Sequence, residues 1–420
     1  MNEERTAASP YLTWGGVALF FLYQYVLRIA PGLVEPELRS AFFMTANDFS
    51  TLGSFFMFVY AIVQIPCGVL IDRLGVKRVV LYSILLCLVG NVLLIHGNSL
   101  WEAQASRIFM GLGAASGYIS CMKIAADSFP SSNRGFFMGA ALTIGLLGPL
   151  LTTDPLVDLI ETTSWIYAFK VLSVIGVILW FSLVIVIPKE AINPHAVLRW
   201  SEIKKSISHV LKTRAVLAYA IMTTCFFSPF SVIADLWGVS FLMNHFSLER
   251  INAASVTKLL YVGAAVGSLV VPWLCEKYRG YNRGIAYSWI AMVLCLVILL
   301  YGSLSAFFLI AVLIVLGFFS SSEILCFGAA SHYTTPETSG TTLGVINTFT
   351  VMGSACIMQS FGFLLDQKWS GAMDTHGLRL YSSNEYIFAL TSILIFVSVL
   401  GVIAFFLYRQ GKKLKQKELA

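Results

Sequence analysis

Charged residues are scarce in this chain of 420 residues: Asp, Glu, Lys and Arg make up 12% of it, whereas 57% is hydrophobic. A soluble domain carries about 25% charged residues, and its core does not grow enough with length to hide so much apolar surface. In a lipid bilayer the solvent is itself apolar, and helices satisfy the backbone polar groups there. The composition therefore excludes an ordinary soluble protein and predicts an all-α integral membrane protein.

Sequence motifs for several other chemistries are also missing. HExxH, GxSxG, paired acid and GxxxxGK[ST] patterns do not occur, so neither an enzyme embedded in the membrane nor the use of ATP is indicated. The eight cysteines form no CxxC pair and lie in or at the ends of apolar stretches. We expect them to be packing residues, with no metal and no cofactor. The polar, partly acidic start of the chain is no basic leader, so the first apolar stretch is expected to remain a membrane helix.

Long hydrophobic runs, by contrast, fill the chain. A helix that spans a bilayer needs about 20 mostly apolar residues, and twelve stretches meet that need. We number them as spans 1 to 12. They cover residues 11–34, 49–71, 79–97, 101–126, 135–156, 164–187, 215–243, 255–275, 284–302, 305–330, 341–364 and 385–408.

Lysine and arginine orient these spans, because they are enriched in cytoplasmic loops. If both termini are cytoplasmic, the outer loops hold only Arg39, Arg250, Lys368 and Arg379. The net charge of +6 is then mainly an orientation signal and not a nucleic-acid footprint. We expect a multi-pass protein of the inner (plasma) membrane, with both termini cytoplasmic and the lipid bilayer as its partner.

The chain repeats itself around a polar, basic connection at residues 188–214, part of which (201–211) is a candidate surface helix. At an offset of 206 residues Gly111 matches Gly317, and Pro130 matches Pro336. These matches predict an N-terminal six-helix bundle over 1–187 and a C-terminal bundle over 215–420 that ends in a basic cytoplasmic tail. A substrate site is expected at the interface of the two halves.

Two motifs carry a family resemblance. Residues 68–78 read GVLIDRLGVKR, and residues 107–115 in span 4 read RIFMGLGAA. The first matches the loop signature G-x-L-x-D-R-x-G-x-[RK]-R of the major facilitator superfamily at every defined position, and the second resembles its pattern R-x-x-x-G-x-G-A-A. The resemblance implies two pseudo-symmetric bundles, secondary transport by alternating access, and a monomer.

The loop signature is implied by the resemblance to be a conformational gate, whose aspartate braces the outward-open state against residues 339–341. Gly68 lets helices approach closely, Gly75 turns the chain, and an aspartate at a helix end is an anion that a neighbouring helix N-terminus can hold. The alternative for the basic residues is a role in topology alone. The candidate gate residues are Gly68, Asp72, Arg73, Gly75, Lys77, Arg78 and, as a second acid, Asp127.

Charged residues within spans are functional candidates by default. The substrate-binding candidates are Tyr25, Arg28, Arg107, Asp235 and Glu323. The Tyr25-x-x-Arg28 spacing resembles the first helix of organophosphate antiporters and anion:cation symporters, whose arginine pairs with substrate phosphate or carboxylate. The alternative for Arg28 and Arg107 is a structural role that holds helices together.

Asp235 and Glu323 are the deep acids of the second half. Burial disfavours the charged form of a carboxylate, so either could carry a coupling proton, or hold a substrate ammonium group. The alternative is a pair with Lys258 or with the backbone.

Residues 25–31 (YVLRIAP) and 236–243 (LWGVSFLM) resemble the proteobacterial phagosomal transporter family, whose members import amino acids or nucleosides. We therefore predict a proton-coupled importer of a small carboxylate-bearing solute such as an amino acid. The alternatives are an organic-anion or siderophore carrier and an exporter of lipophilic compounds. The exporter fits less well, because the helix-5 antiporter pattern is incomplete after Gly148-Pro149.

Overall fold

The computed structural model describes residues 9–188, 200–278, 280–333, 336–375 and 377–418. In this part of the chain the structure is helical, and the β-type pairing recorded there is an isolated bridge between Met373 and Arg379. The prediction of an all-α chain is confirmed.

The described residues form eighteen α-helices, and a π-helical segment, Ser231–Trp237, lies between the tenth and eleventh. In chain order the α-helices are α1 (Pro10–Leu33), α2 (Glu35–Phe42), α3 (Ala46–Leu74), α4 (Val76–His96), α5 (Leu100–Ala114), α6 (Ser116–Ser128), α7 (Ser131–Thr162), α8 (Trp165–Val186), α9 (Trp200–Lys212), α10 (Arg214–Phe230), α11 (Gly238–Phe246), α12 (Arg250–Thr257), α13 (Leu259–Lys277), α14 (Tyr281–Tyr301), α15 (Ala306–Ser320), α16 (Glu323–Ser331), α17 (Pro336–Lys368) and α18 (Ser383–Glu418).

Twelve helical stretches of the described residues are long and apolar enough to cross a membrane. They coincide with the twelve predicted spans and differ from them by a few residues at the ends. Span 1, for example, was expected at 11–34 and is Pro10–Leu33. The candidate surface helix of the connection is present as α9. Length and apolar composition were sufficient to place every span.

Several spans are interrupted where the sequence predicts continuous helix. Span 4 changes from α5 to α6 at Ala115, and span 10 changes from α15 to α16 at Ser321 and Ser322. Ala115 and Ser321 are 206 residues apart, which is the offset of the Gly111–Gly317 match. The repeat is therefore present in the backbone as well as in the sequence.

Two compact units divide the chain. The first is formed by Met1–Ala30 and Phe58–Leu198, and the second by Pro31–Met57 and Arg199–Ala420. The end of span 1 and the start of span 2 thus belong with the second unit, although the sequence repeat assigns them to the first half. The division of the chain into two six-helix bundles at residues 188–214 remains a prediction from the sequence repeat.

Within the second unit, glycines bring α13 and α15 close together. A Cβ added at Gly263 would lie 2.0 Å from the carbonyl oxygen of Ile314, and one at Gly317 would lie 2.0 Å from that of Leu260. Neither distance leaves room for a side chain. Small residues allow such backbone contact between membrane helices, so Gly317 has a packing role.

We expect Gly317→Ala to lower the free energy of unfolding by about 1–3 kcal/mol, because the added methyl group overpacks the contact with α13. Thermal unfolding in detergent measures this. Gly328→Ala, in which the methyl group would meet Tyr281 at 3.7 Å, is the matched control and should leave the melting temperature nearly unchanged. Equal effects of the two substitutions would contradict the packing role.

Candidate transport site

Arg28 and Tyr25 lie on one face of α1, in the first unit. Tyr25 is buried and Arg28 is half-buried. The Cζ atom of Arg28 lies 5.2 Å from the centre of the Tyr25 ring, within the range of a cation–π contact. Their spacing of three residues places them as neighbours on the helix surface, so this pair joins a cation to an aromatic ring inside an apolar span.

Arg107 of α5 is directed at the backbone of α1. It is 1% exposed. Its Nη1 donates to the carbonyl oxygen of Leu27 at 2.9 Å, and its Nη2 donates to that of Arg28 at 3.1 Å. Nη1 also lies 3.2 Å from the Sδ atom of Met110. Contacts of this kind hold two helices together, which is the structural role considered above as the alternative for Arg107.

Asp235 lies in the π-helical segment of the second unit and is 3% exposed. The hydroxyl of Tyr261, in α13, donates to its Oδ1 at 2.7 Å. π-helical turns inside α-helices frequently occur at functional sites. The sequence analysis named Lys258 or the backbone as the alternative partner of Asp235 and did not identify Tyr261. A tyrosine in an apolar span, about one helical turn after Lys258, was the feature that could have pointed to it.

Glu323, also in the second unit, is the first residue of α16, directly after the interruption of span 10 at Ser321 and Ser322. Its side chain is half-buried. Its position in the first turn of α16 places it at the positive end of that helix's dipole, whereas Asp235 is more deeply buried.

The signature loop in the first unit contains a three-residue ion cluster. Lys123 Nζ lies 2.9 Å from Asp72 and 3.1 Å from Asp127. The sequence analysis placed the two acids together among the gate candidates but did not identify Lys123 as the cation between them. Its spacing of four residues from Asp127 was the available signal. All three side chains are partly exposed, so the cluster contributes little to stability by itself.

The remaining gate candidates divide between backbone contacts and exposed positions. Gly75 has φ +83°, which confirms its predicted turn. Lys77 Nζ donates to the Val184 carbonyl at 2.5 Å, near the C-terminal end of α8, where a cation is favourable. Arg78 Nη1 donates to the Leu74 carbonyl at 2.7 Å, and Arg73 is exposed.

Gly68 is the gate candidate whose surroundings differ from the expectation. A Cβ at this position would have no atom of the described residues within 4 Å. The close helix approach predicted there is therefore absent from the part of the chain that the structure describes. The expected partners of Asp72 at residues 339–341 lie outside the residues whose side chains are described.

A second cluster, which the sequence did not reveal, surrounds Asp366 near the end of α17, within the second unit. Its carboxylate accepts from the backbone N–H of Ala46 at 3.3 Å and of Asn47 at 2.8 Å, at the N-terminus of α3. Arg379 Nη1 donates to it at 3.1 Å, and the Tyr381 hydroxyl makes a short hydrogen bond to it. Burial, and then this hydrogen bond, raise the pKa of Tyr381, which keeps the hydroxyl protonated as a donor.

Buried charges extend this cluster along α2. Arg39 Nη1 donates to Glu35 at 2.8 Å, and Arg39 Nη2 donates to the Arg379 carbonyl at 2.6 Å. The other carboxylate oxygen of Glu35 accepts from the Ser240 hydroxyl at 2.8 Å. Glu35 and Arg39 are 4% and 6% exposed, so this pair, unlike the Asp72 cluster, is shielded from water.

Asp366→Asn should lower the free energy of unfolding by about 1–3 kcal/mol, because charge-assisted hydrogen bonds to the end of α3 are lost. Thermal unfolding in detergent checks this value. Asp48→Asn is the control, because that carboxylate accepts from the N–H and the hydroxyl of Thr45 and caps the same helix locally. A smaller effect for Asp366→Asn than for Asp48→Asn would contradict the assignment.

Comparison with known proteins places this geometry in a family. The chain matches the model of the Major Facilitator Superfamily over residues 14–358. It is similar to the gentisate transporter of Corynebacterium glutamicum, with 24% identity over 373 residues that cover 86% of this chain and 82% of that protein. A probable sulfoacetate transporter of Cupriavidus necator is 24% identical over 166 residues, which cover 40% of this chain and 39% of that relative. The chain thus spans about two fifths of that relative's length.

A solved structure shows the same fold. It is a bacterial homologue of the human lysosomal transporter Spinster, in an inward-facing and unoccupied conformation, with a TM-score of 0.78 and 12% identity. The comparison covers 96% of this chain and 98% of that one. With twelve membrane-length helices among the described residues, the signature loop at residues 68–78 and a family match over most of its length, the chain belongs to the Major Facilitator Superfamily.

Proposed function

We propose that this protein is a proton-coupled importer of a small carboxylate-bearing solute. It would act as a monomer in a bacterial inner membrane, with both termini cytoplasmic. The observation that carries the proposal is Arg28, a half-buried cation beside Tyr25 in an apolar span. Ionisable residues inside membrane spans often mark the path of a substrate, and an anionic solute is the kind of ligand that this guanidinium would bind.

The chemistry of Arg28 favours a carboxylate. A guanidinium binds carboxylate with two parallel hydrogen bonds in its own plane, and contact of its face with an aromatic ring is compatible with that geometry. Two relatives are named for gentisate and sulfoacetate, both small organic anions that carry a carboxylate. These names support a solute of that class for this chain.

An amino acid is the specific solute that we propose within this class. Its ammonium group requires an acid, and Asp235 and Glu323 are the acids that the sequence predicts for this role. The names of the relatives favour the alternative, an organic anion without an ammonium group. An exporter of lipophilic compounds is less well supported, because the candidate residues are predominantly charged.

We expect Arg28→Ala to weaken binding of the solute by about 10–100-fold, the loss of a charge-assisted hydrogen-bonded pair. The measurement is the ligand-induced rise in melting temperature with amino acids, gentisate, other organic acids and lipophilic cations. Lys170→Ala, which removes an exposed cation of α8, is the control and should bind normally. Stabilisation by lipophilic cations that persists in Arg28→Ala would overturn the carboxylate proposal.

Asp235 is the better of the two candidates for the coupling proton. It is more deeply buried than Glu323, and it lies in the π-helical segment, a type of turn that frequently occurs at functional sites. Tyr261 can donate to the ionised carboxylate and accept from the protonated one, so its hydroxyl can accompany either state.

Asp235→Asn should abolish uptake driven by an inward proton gradient while solute exchange across the membrane continues, because the permanently neutral amide cannot release a proton. The measurement is uptake of the solute found by the binding panel into proteoliposomes, with and without a pH gradient. Glu323→Gln is the comparison and should retain gradient-driven uptake. If Asp235→Asn still accumulates the solute under an inward proton gradient, another residue carries the coupling proton. If the wild type accumulates the solute under an outward proton gradient instead, the protein is an exporter.

A further inference from the structure

We propose that Arg107 is a positioning residue: it makes in α1 the hydrogen bond that Pro31 cannot make, and so fixes the backbone that carries Arg28. The part that concerns Arg28 and the solute rests on the proposed function. The hydrogen-bond replacement itself does not.

The proline creates a defined gap. In an α-helix the N–H of each residue bonds to the carbonyl four residues earlier. Pro31 has no N–H, and the carbonyl four residues before it is that of Leu27, inside α1. Leu27 is 1% exposed. Water therefore does not satisfy this carbonyl, and a buried carbonyl without a partner is costly.

Arg107 fills that gap from a neighbouring helix. Its Nη1 lies 2.9 Å from the Leu27 oxygen, the acceptor that the proline leaves without its helical donor. Its Nη2 lies 3.1 Å from the next carbonyl, that of Arg28. One guanidinium thus grips two successive peptide groups, which a lysine, with a single ammonium group on a flexible stem, would not hold in the same fixed plane.

This grip fixes the direction of Arg28. The two carbonyls belong to the peptide groups on either side of its Cα atom, so holding both of them sets the rotation of α1 at this residue. Arg107 is 1% exposed and lies in the interior of α5. Its side chain is therefore more restricted than that of the half-buried Arg28, which is the better placed of the two to contact a solute.

The second half of the sequence repeat supports the link between Arg107 and Pro31. The position 206 residues after Arg107 is Leu313, which is buried and apolar. The position 206 residues after Pro31 is Trp237, which has an N–H, and span 7 is there a π-helical segment. The arginine is therefore present in the half with a proline at this position and absent from the half with a tryptophan there.

A double-mutant cycle tests the replacement without any solute. Arg107→Gln should lower the melting temperature of the detergent-purified protein. Pro31→Ala restores the N–H that Leu27 lacks, so Arg107→Gln should be much less damaging in the Pro31→Ala background. A coupling of at least threefold in the unfolding equilibrium constant is expected for a direct interaction of this kind. Additive effects of the two substitutions would overturn the proposal.

A chemical readout tests the effect on residue 28 and separates positioning from general stabilisation. Arg28→Cys is placed in a Cys356→Ser background, because Cys356 is exposed and the other seven native cysteines are buried. The rate of its reaction with a charged methanethiosulfonate reagent should change about threefold or more on Arg107→Gln and return on adding Pro31→Ala, in line with coupling between contacting groups. An unchanged rate would limit Arg107 to stabilisation alone and contradict positioning.

A third arm uses gentisate as the probe. If it binds the wild type, Pro31→Ala should restore most of the affinity lost in Arg107→Gln, whereas failure to restore it would make Arg107 a direct ligand and overturn the positioning role. If neither gentisate nor any other carboxylate binds the wild type, the proposed function fails, and the two solute-free arms still decide whether Arg107 replaces the missing bond.

Discussion

Hydrogen bonding of the backbone is the constraint on which this structure depends. In hydrocarbon no water compensates an unpaired N–H or carbonyl, so each departure from regular helix must be balanced by another group. The departures in this chain lie near its functional candidates: Pro31 follows Arg28 closely, Asp235 lies in a π-helical segment, and Glu323 follows an interruption of span 10. Because such irregular backbone is tolerated only where protein groups satisfy it, these positions carry polar partners as well as functional charges.

The two halves of the repeat meet this constraint with different chemistry. In the first, a proline interrupts the hydrogen bonds of span 1 and an arginine supplies the missing donor. In the second, the position that matches the proline is Trp237, which has an N–H, and span 7 changes its hydrogen-bond register over Ser231–Trp237, with a carboxylate inside the altered turn. The irregular backbone thus lies at matching places in the two halves but is satisfied by different groups. Arg28 and Arg107 lie near it in the first half, and Asp235 lies in it in the second.

The fold was largely predictable from the sequence, because spans depend on length and apolarity, which are local properties. The turn at Gly75 was predictable for the same reason: a glycine between two helical stretches allows positive φ. The interruptions at Ala115 and at Ser321 were not, since no proline or glycine marks those residues. Once one interruption is known, the repeat offset of 206 residues locates the other.

The candidate site was predictable in its residue types and not in its partners. Charges within spans singled out Arg28 and Asp235, but Tyr261 beside Asp235 depends on the packing of two separate spans. The Asp366 cluster depends on contacts between residues more than 300 positions apart in the chain, which no local pattern encodes.

Burial gives the two charge clusters different physical consequences. The side chains of Asp72, Lys123 and Asp127 are between 36% and 57% exposed, so water and salt screen them and they can separate at little cost. Glu35 and Arg39 are almost fully buried, and removing either would leave an uncompensated charge in an apolar region. Because Glu35 and Arg39 are four residues apart in α2, their ion pair does not itself join two elements. The same two side chains bond to Ser240 and to the Arg379 carbonyl, and these hydrogen bonds attach α2 to its neighbours in the second unit. The buried pair thus keeps both side chains charged and oriented for contacts that a screened surface pair would hold only weakly.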